Sequence, residues 1–126
     1  MKHLHLVWLL ACCLTLASCR FFTESEPDVH PGTPGVYAGL YSQGFEDSVF
    51  RPCGIDEDWK LVGDDSTFSD FSRRSAEALA ENPAYVRLRG TPSRRGTYEG
   101  FFVTYDRQFT MTDVVEVRGR REGDCS

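Results

Sequence analysis

The chain has 126 residues, 26% of them charged, and a formal net charge of −5 at pH 7. That length bounds it to one domain of ordinary size behind any leader, and the acidic balance argues against non-specific attraction to nucleic acid phosphates. Its five cysteines and three histidines include no Cys-x-x-Cys spacing, so a zinc centre has nothing to stand on. No metal or cofactor is expected.

The chain opens with "MKHLH", which carries Lys2, followed by the 12-residue apolar run Leu6–Ala17 with Thr15 as its one polar member. A positive start, an apolar stretch of about 7–15 residues and small residues after it are the pattern of a secretory signal. A spanning helix needs roughly 20 apolar residues, so the run is short for a permanent anchor. It ends in Leu16-Ala17-Ser18-Cys19, which resembles the lipobox of bacterial lipoproteins. The resemblance implies cleavage before Cys19, a diacylglycerol on its thiol and an acyl chain such as palmitate on its new amine. Each buried methylene contributes about 0.8 kcal/mol, and stable anchoring takes more than one chain. The alternative is a plain secretory signal whose cysteine falls near the cut.

Residues 1–18 are thus read as a signal peptide that removes Cys12 and Cys13, and residues 19–35 as a lipidated flexible tether. Residues 36–126 are read as the folded domain. Among lipoproteins of enteric bacteria an aspartate after the lipidated cysteine favours retention in the inner membrane. Arg20 stands there instead, which implies a cell-envelope protein held in the outer membrane and facing the periplasm.

The mature chain of 108 residues holds 13 basic and 19 acidic side chains, a net of −6. The excess sits in Cys19 to Asp65, with three basic and ten acidic residues. With Cys19 lipidated, Cys53 and Cys125 are the two thiols left in an oxidising compartment, where one pairing is open to them. Two separate thiols are the alternative.

"RFFTESEPDVHPGTPG" (20–35) is rich in proline, glycine and acids and lacks a hydrophobic period, as a solvated tether does. Strand-like runs follow at 36–42 and 45–53 around a turn at Ser42-Gln43-Gly44, which predicts a hairpin. A third short strand covers 58–62, with Trp59 and Leu61 on one side at the period of two. The period then lengthens: Phe68, Phe71, Ala76 and Leu79 predict a helix over 66–83, capped by Ser66 or Ser69 and stopped by Pro83. Three further β-rich runs, 84–91, 97–105 and 109–120, complete the chain.

The order β-β-β-α-β-β-β with short connections predicts a mainly β fold with one helix, a small closed barrel that leaves no sheet edge exposed. A helix between the third and fourth strands resembles the oligonucleotide/oligosaccharide-binding (OB) barrel. An open α+β sheet is the alternative. "GFEDSVFRPC" (44–53), "DWKL" (58–61) and "YVRLRGTPSRRGTYEGFFVTYDRQFTMTDVVEVR" (85–118) are similar to a group of small bacterial envelope lipoproteins in which Cys53 recurs. They are more distantly similar to the OB-like part of the envelope-stress lipoprotein NlpE, from which this chain departs in lacking Cys-x-x-Cys.

Chemistry is sparse. His30 lies in the tether, and Lys60 is the one lysine of the mature chain, so a nucleophile–base pair is hard to assemble. The acid groups "DED" (56–58) and "DD" (64–65) lack EF-hand spacing and read as solvated loops. Arg87 and Arg89 alternate with Val86 and Leu88 and share a strand face, while Arg94 and Arg95 sit in the following loop. Together they form a candidate anion site, since arginine makes bidentate anion contacts, with Tyr85, Tyr98 and Phe102 as stacking surfaces. Pairing with Glu99, Asp106 and Glu116 on an exposed face is the alternative. The expectation is a membrane-anchored, non-catalytic binding domain for an envelope glycan, anionic lipid or protein, not for nucleic acid. A hydrolase acting on glycans or phosphates through carboxylates is the rival.

Overall fold

The computed structural model describes residues 28–126. The expectations for the signal, for Cys19 and for most of the tether lie outside the described residues. The elements are β1 (Gly35–Gln43), β2 (Ser48–Pro52), β3 (Trp59–Val62), α1 (Asp65–Ala78), β4 (Ala84–Pro92), β5 (Tyr98–Glu99), β6 (Thr104–Tyr105) and β7 (Arg107–Gly119). A 3-10 turn, Leu79–Glu81, extends α1 toward the cis bond Asn82–Pro83.

Five strands close into a barrel in the order β1-β2-β3-β7-β4, with β4 returning to pair with β1. All pairs are antiparallel except β3 with β7. This is the small OB-like barrel expected from the order of elements, with α1 between the third and fourth strands. The alternation in β4 explains its role in closure. Ala84, Val86 and Leu88 are buried on its inner side while Arg87 and Arg89 face water.

Inside, Trp59, Phe50 and Phe109 are wholly buried. Their ring centroids lie 5.5 to 6.0 Å apart, within the range where aromatic pairs attract beyond their buried area. Trp59 and Leu61 do share the inner face. Gly90 stands where a side chain would run into the Thr110 carbonyl and the Phe109 ring, so this large ring occupies the space left by the missing Cβ. The register between β4 and β7 slips twice, between Arg87 and Leu88 and between Arg89 and Gly90. Such bulges bend a strand, which lets the 13-residue β7 wrap round the barrel.

α1 begins one residue earlier than expected, and its cap is neither serine. The Asp64 carboxylate accepts from the Thr67 amide at 2.8 Å and from the Ser66 hydroxyl at 2.9 Å. Aspartate satisfies an orphan amide of the first turn and also faces the positive end of the helix dipole. Phe71 projects from α1 edge-on to Tyr41, 4.8 Å between centroids.

Two further differences concern the start of the run and one of its later strands. The packed chain reaches back beyond Val36: Val29 lies against the core cluster, and the Gly32 amide donates to the Pro92 carbonyl at 2.9 Å. The segment 97–105 is not one strand. It is a small hairpin, β5–β6, outside the barrel sheet. At the other end, Cys53 and Cys125 form a disulfide across 72 positions. The tail is also held by Asp124, which Arg118 grips through Nη1 at 3.0 Å and Nη2 at 2.8 Å. These bonds, together with the Arg121 amide, hold the Asp124 carboxyl down to a pKa of about 2.

Candidate binding tip of the barrel

The β1–β2 loop (44–47) and the loop that carries β5–β6 correspond in position to the loops flanking the binding face of an OB barrel. Here they meet. The two oxygens of the Asp47 carboxylate accept the amides of Phe101, at 2.9 Å, and Phe102. The turn between β5 and β6 closes on itself through Gly100 N–H to the Val103 carbonyl, 2.8 Å. A Cβ on Gly100 would crowd Tyr105, Asp47 and the Val103 carbonyl, so glycine permits the close approach of hairpin and loop.

Below the turn, Tyr105 is buried and donates its hydroxyl to the Ser48 carbonyl at 2.7 Å. Burial, then the neighbouring Asp47 charge, raises its pKa. Lys60 Nζ donates to the Glu99 carbonyl at 2.9 Å, tying β5 down onto β3. Burial pulls the Asp47 carboxyl upward. The amides of Phe102, Phe101 and Val103 outweigh it and leave its pKa below the ordinary carboxylate value.

The base of the loop is fastened separately. Arg107 and Glu57 form an ion pair at 2.9 Å with both side chains largely shielded, 13% and 8% exposed. Arg107 also donates to the Ser93 carbonyl, and the Ser93 hydroxyl accepts the Gln108 amide. Asp106 and Asp58 exchange backbone and side-chain bonds at 2.8 and 2.9 Å.

This scaffold carries an apolar tip. Phe45 is 81% exposed, Phe101 72% and Phe102 65%, beside the partly exposed Val103. Phe45 and Phe102 lie 6.1 Å apart, and Phe101 packs edge-on to Phe102 at 4.8 Å. Single exposed apolar residues are ordinary, whereas a contiguous apolar patch with a polar rim marks an interaction site. The sequence pattern places Phe45, Phe101 and Phe102 inside strands, and no local pattern joins them, because the connection is the Asp47 bond between distant loops. The one sequence signal was "EGFF" (99–102), where a glycine interrupts a strand-like run.

The four arginines are distributed otherwise. Arg87 and Arg89 share the outer face of β4 and stand opposite Glu116 and Asp113 on β7, at 3.7 and 3.6 Å. These pairs are exposed, and pairs of that kind contribute little, about 0–1 kcal/mol. Arg95 lies 3.9 Å from Glu57. Arg94 lines a shallow groove with Pro31, Tyr98 and Thr110. Tyr85 is stacked from within the chain, with the Arg118 guanidinium 4.1 Å above its ring. Phe102 alone of the expected stacking residues belongs to the tip. Three of the five acids in the two groups have partners of their own: Asp58 pairs with Arg51, Glu57 with Arg107, and Asp64 caps α1. Among the described residues no group of three or more His, Cys, Asp and Glu is placed to hold a metal ion. No helix among them is long and apolar enough to cross a membrane.

No protein-family model matches this chain, and no curated protein and no solved structure matches it either.

Proposed function

We propose that the protein is a lipid-anchored component of the bacterial cell envelope whose barrel binds a partner and does not catalyse a reaction. Cys19 carries the anchor, in the outer membrane on its periplasmic side, and the disulfide-stapled barrel is the binding module. The binding surface is the tip made by Phe45, Phe101 and Phe102. The observation that carries this reading is the Asp47 carboxylate, which joins two loops so that three rings are held exposed on a fixed scaffold. Fixing rings before binding reduces the ordering cost of association, and aromatic side chains dominate interface energetics.

The test is photocross-linking in intact cells, with a benzophenone amino acid at Phe101 in one full-length chain and at Thr112 on β7 in another. Adducts from position 101 and none from 112 support the reading. Adducts from 112 alone, or equal adducts from both, overturn it.

A further inference from the structure

The acidic rim of the tip narrows the class of its partner. The two segments that build it, "QGFEDS" (43–48) and "TYEGFFVTY" (97–105), contain Glu46, Asp47 and Glu99 and no basic residue. Glu46 and Glu99 are exposed, next to Phe45 and two residues before Phe101 in the chain, while Asp47 is turned inward onto the hairpin amides. Lys60 is bonded to the Glu99 carbonyl, and Arg95, earlier in the same connection, is turned toward Glu57. Arg120 and Arg121 line a groove with Glu81, Asn82 and Pro83, and Asn82 is bonded to Gln43 at the start of the first segment. On the side of Glu46 and Glu99 the tip therefore offers an apolar platform edged by negative charge.

An anionic lipid leaflet would be repelled by such an edge, since surface attraction to it comes from basic residues. Placement argues the same way. The chain enters at the Gly35 end of β1, where Asp28 lies in a groove with Gly35, Tyr37 and Cys53. The tip stands beyond Gln43, about 26 Å along the strand at ~3.3 Å per residue.

We infer that the tip takes a protein segment in which apolar side chains alternate with arginine or lysine. The apolar side chains cover Phe101 and Phe102, and the cations meet Glu46 and Glu99. A guanidinium also stacks on aromatic faces, as Arg118 does on Tyr85 within this chain. This inference rests on the tip being the binding surface, and adds to it the chemistry of the partner.

The test uses the chain from residue 19 with Cys19→Ser, which carries no acyl chain and needs no detergent, titrated with a labelled decapeptide alternating Arg and Leu. Its Glu/Leu counterpart and phosphatidylcholine and phosphatidylglycerol vesicles are the comparison probes. The Arg/Leu peptide binds this chain. Phe101→Ser with Phe102→Ser lowers its affinity at least tenfold. Glu46→Gln with Glu99→Gln lowers it severalfold and flattens its salt dependence, because exposed charge attraction is screened over about 8 Å at physiological ionic strength. No binding of the Arg/Leu peptide, equal binding of both peptides, or indifference to the glutamate variants overturns the partner class. So does vesicle binding that exceeds peptide binding and disappears in the phenylalanine variant, an outcome that keeps the tip as the surface. A phenylalanine variant that binds every probe as the parent chain does overturns both.

Discussion

Asp47 and Phe102 lie 55 positions apart and are joined by a hydrogen bond from the Phe102 amide to Asp47 Oδ2. With the Phe101 bond to Oδ1, one side chain of the β1–β2 loop fixes the end of the β5–β6 hairpin. Charge-assisted bonds of this kind are about twice as strong as neutral ones. The exposed rings are thus held from beneath by a carboxylate that is itself not part of the presented surface.

Asp47→Asn removes one of the two acceptors and the charge, and the tip should loosen while the barrel stays folded. Amide hydrogen exchange checks it: protection at Phe101 and Phe102 falls, and protection in β4 and β7 does not. Acid should do the same to the wild type. The folded pKa of Asp47 lies below its ordinary value, so its ionised form stabilises the closed tip. That contribution is complete above the ordinary carboxylate pKa and is lost as pH falls through the lower folded value. Exchange protection at the tip that is unchanged in the variant and indifferent to acid would contradict the latch.

The disulfide should matter more than any single surface bond. Closing a loop of 72 positions removes denatured-state entropy equivalent to about 4 kcal/mol in the chain-entropy model. Cys53→Ser with Cys125→Ser should lower the denaturation midpoint by a corresponding amount, with the tail still docked through Arg118 and Asp124. Chemical denaturation with and without the pair measures it.

Phe101→Ser and Gly90→Ala should separate surface from core. The first exchanges an exposed ring and should change stability by no more than about 0.5 kcal/mol. The second forces a methyl group against the Thr110 carbonyl and the Phe109 ring, and overpacking of that kind costs about 1–3 kcal/mol or more. Melting curves of the two variants give the comparison.

The anchor makes its own prediction. Cys19→Ser removes the thiol that lipidation requires, so the protein should leave the detergent phase on phase partitioning or remain unprocessed in mass. A variant with unchanged mass and unchanged partitioning would contradict the lipid anchor.

The barrel was legible from sequence because its cues are local. The alternation in 84–91 places Val86 and Leu88 inward, and the change of period at Phe68 and Phe71 announces the helix. Trp59 and Leu61 likewise declare their face. The cysteine pair was legible by elimination, since assigning Cys12 and Cys13 to a signal and Cys19 to an anchor leaves two thiols with one partner each. The tip was not legible, because it depends on a contact between residues 47 and 102 that no period or spacing encodes. "TYEGFFVTY" has the composition of a strand, and the hairpin forms because Gly100 turns tightly while Asp47 captures the two amides beyond it. The helix cap was misplaced for a simpler reason. Asp64 and Ser66 both have capping side chains, and the structure uses the aspartate.

Radical footprinting of the full-length protein in intact envelopes, against the same protein purified in detergent, tests the central claim most directly. Side-chain oxidation is read residue by residue. The account predicts that Phe45, Phe101 and Phe102 are protected in the envelope while Val36 and Val115, also exposed, are oxidised equally in both states. Equal oxidation of the three rings in envelope and detergent, with protection at Val115 or along the Arg87 and Arg89 face, would contradict it.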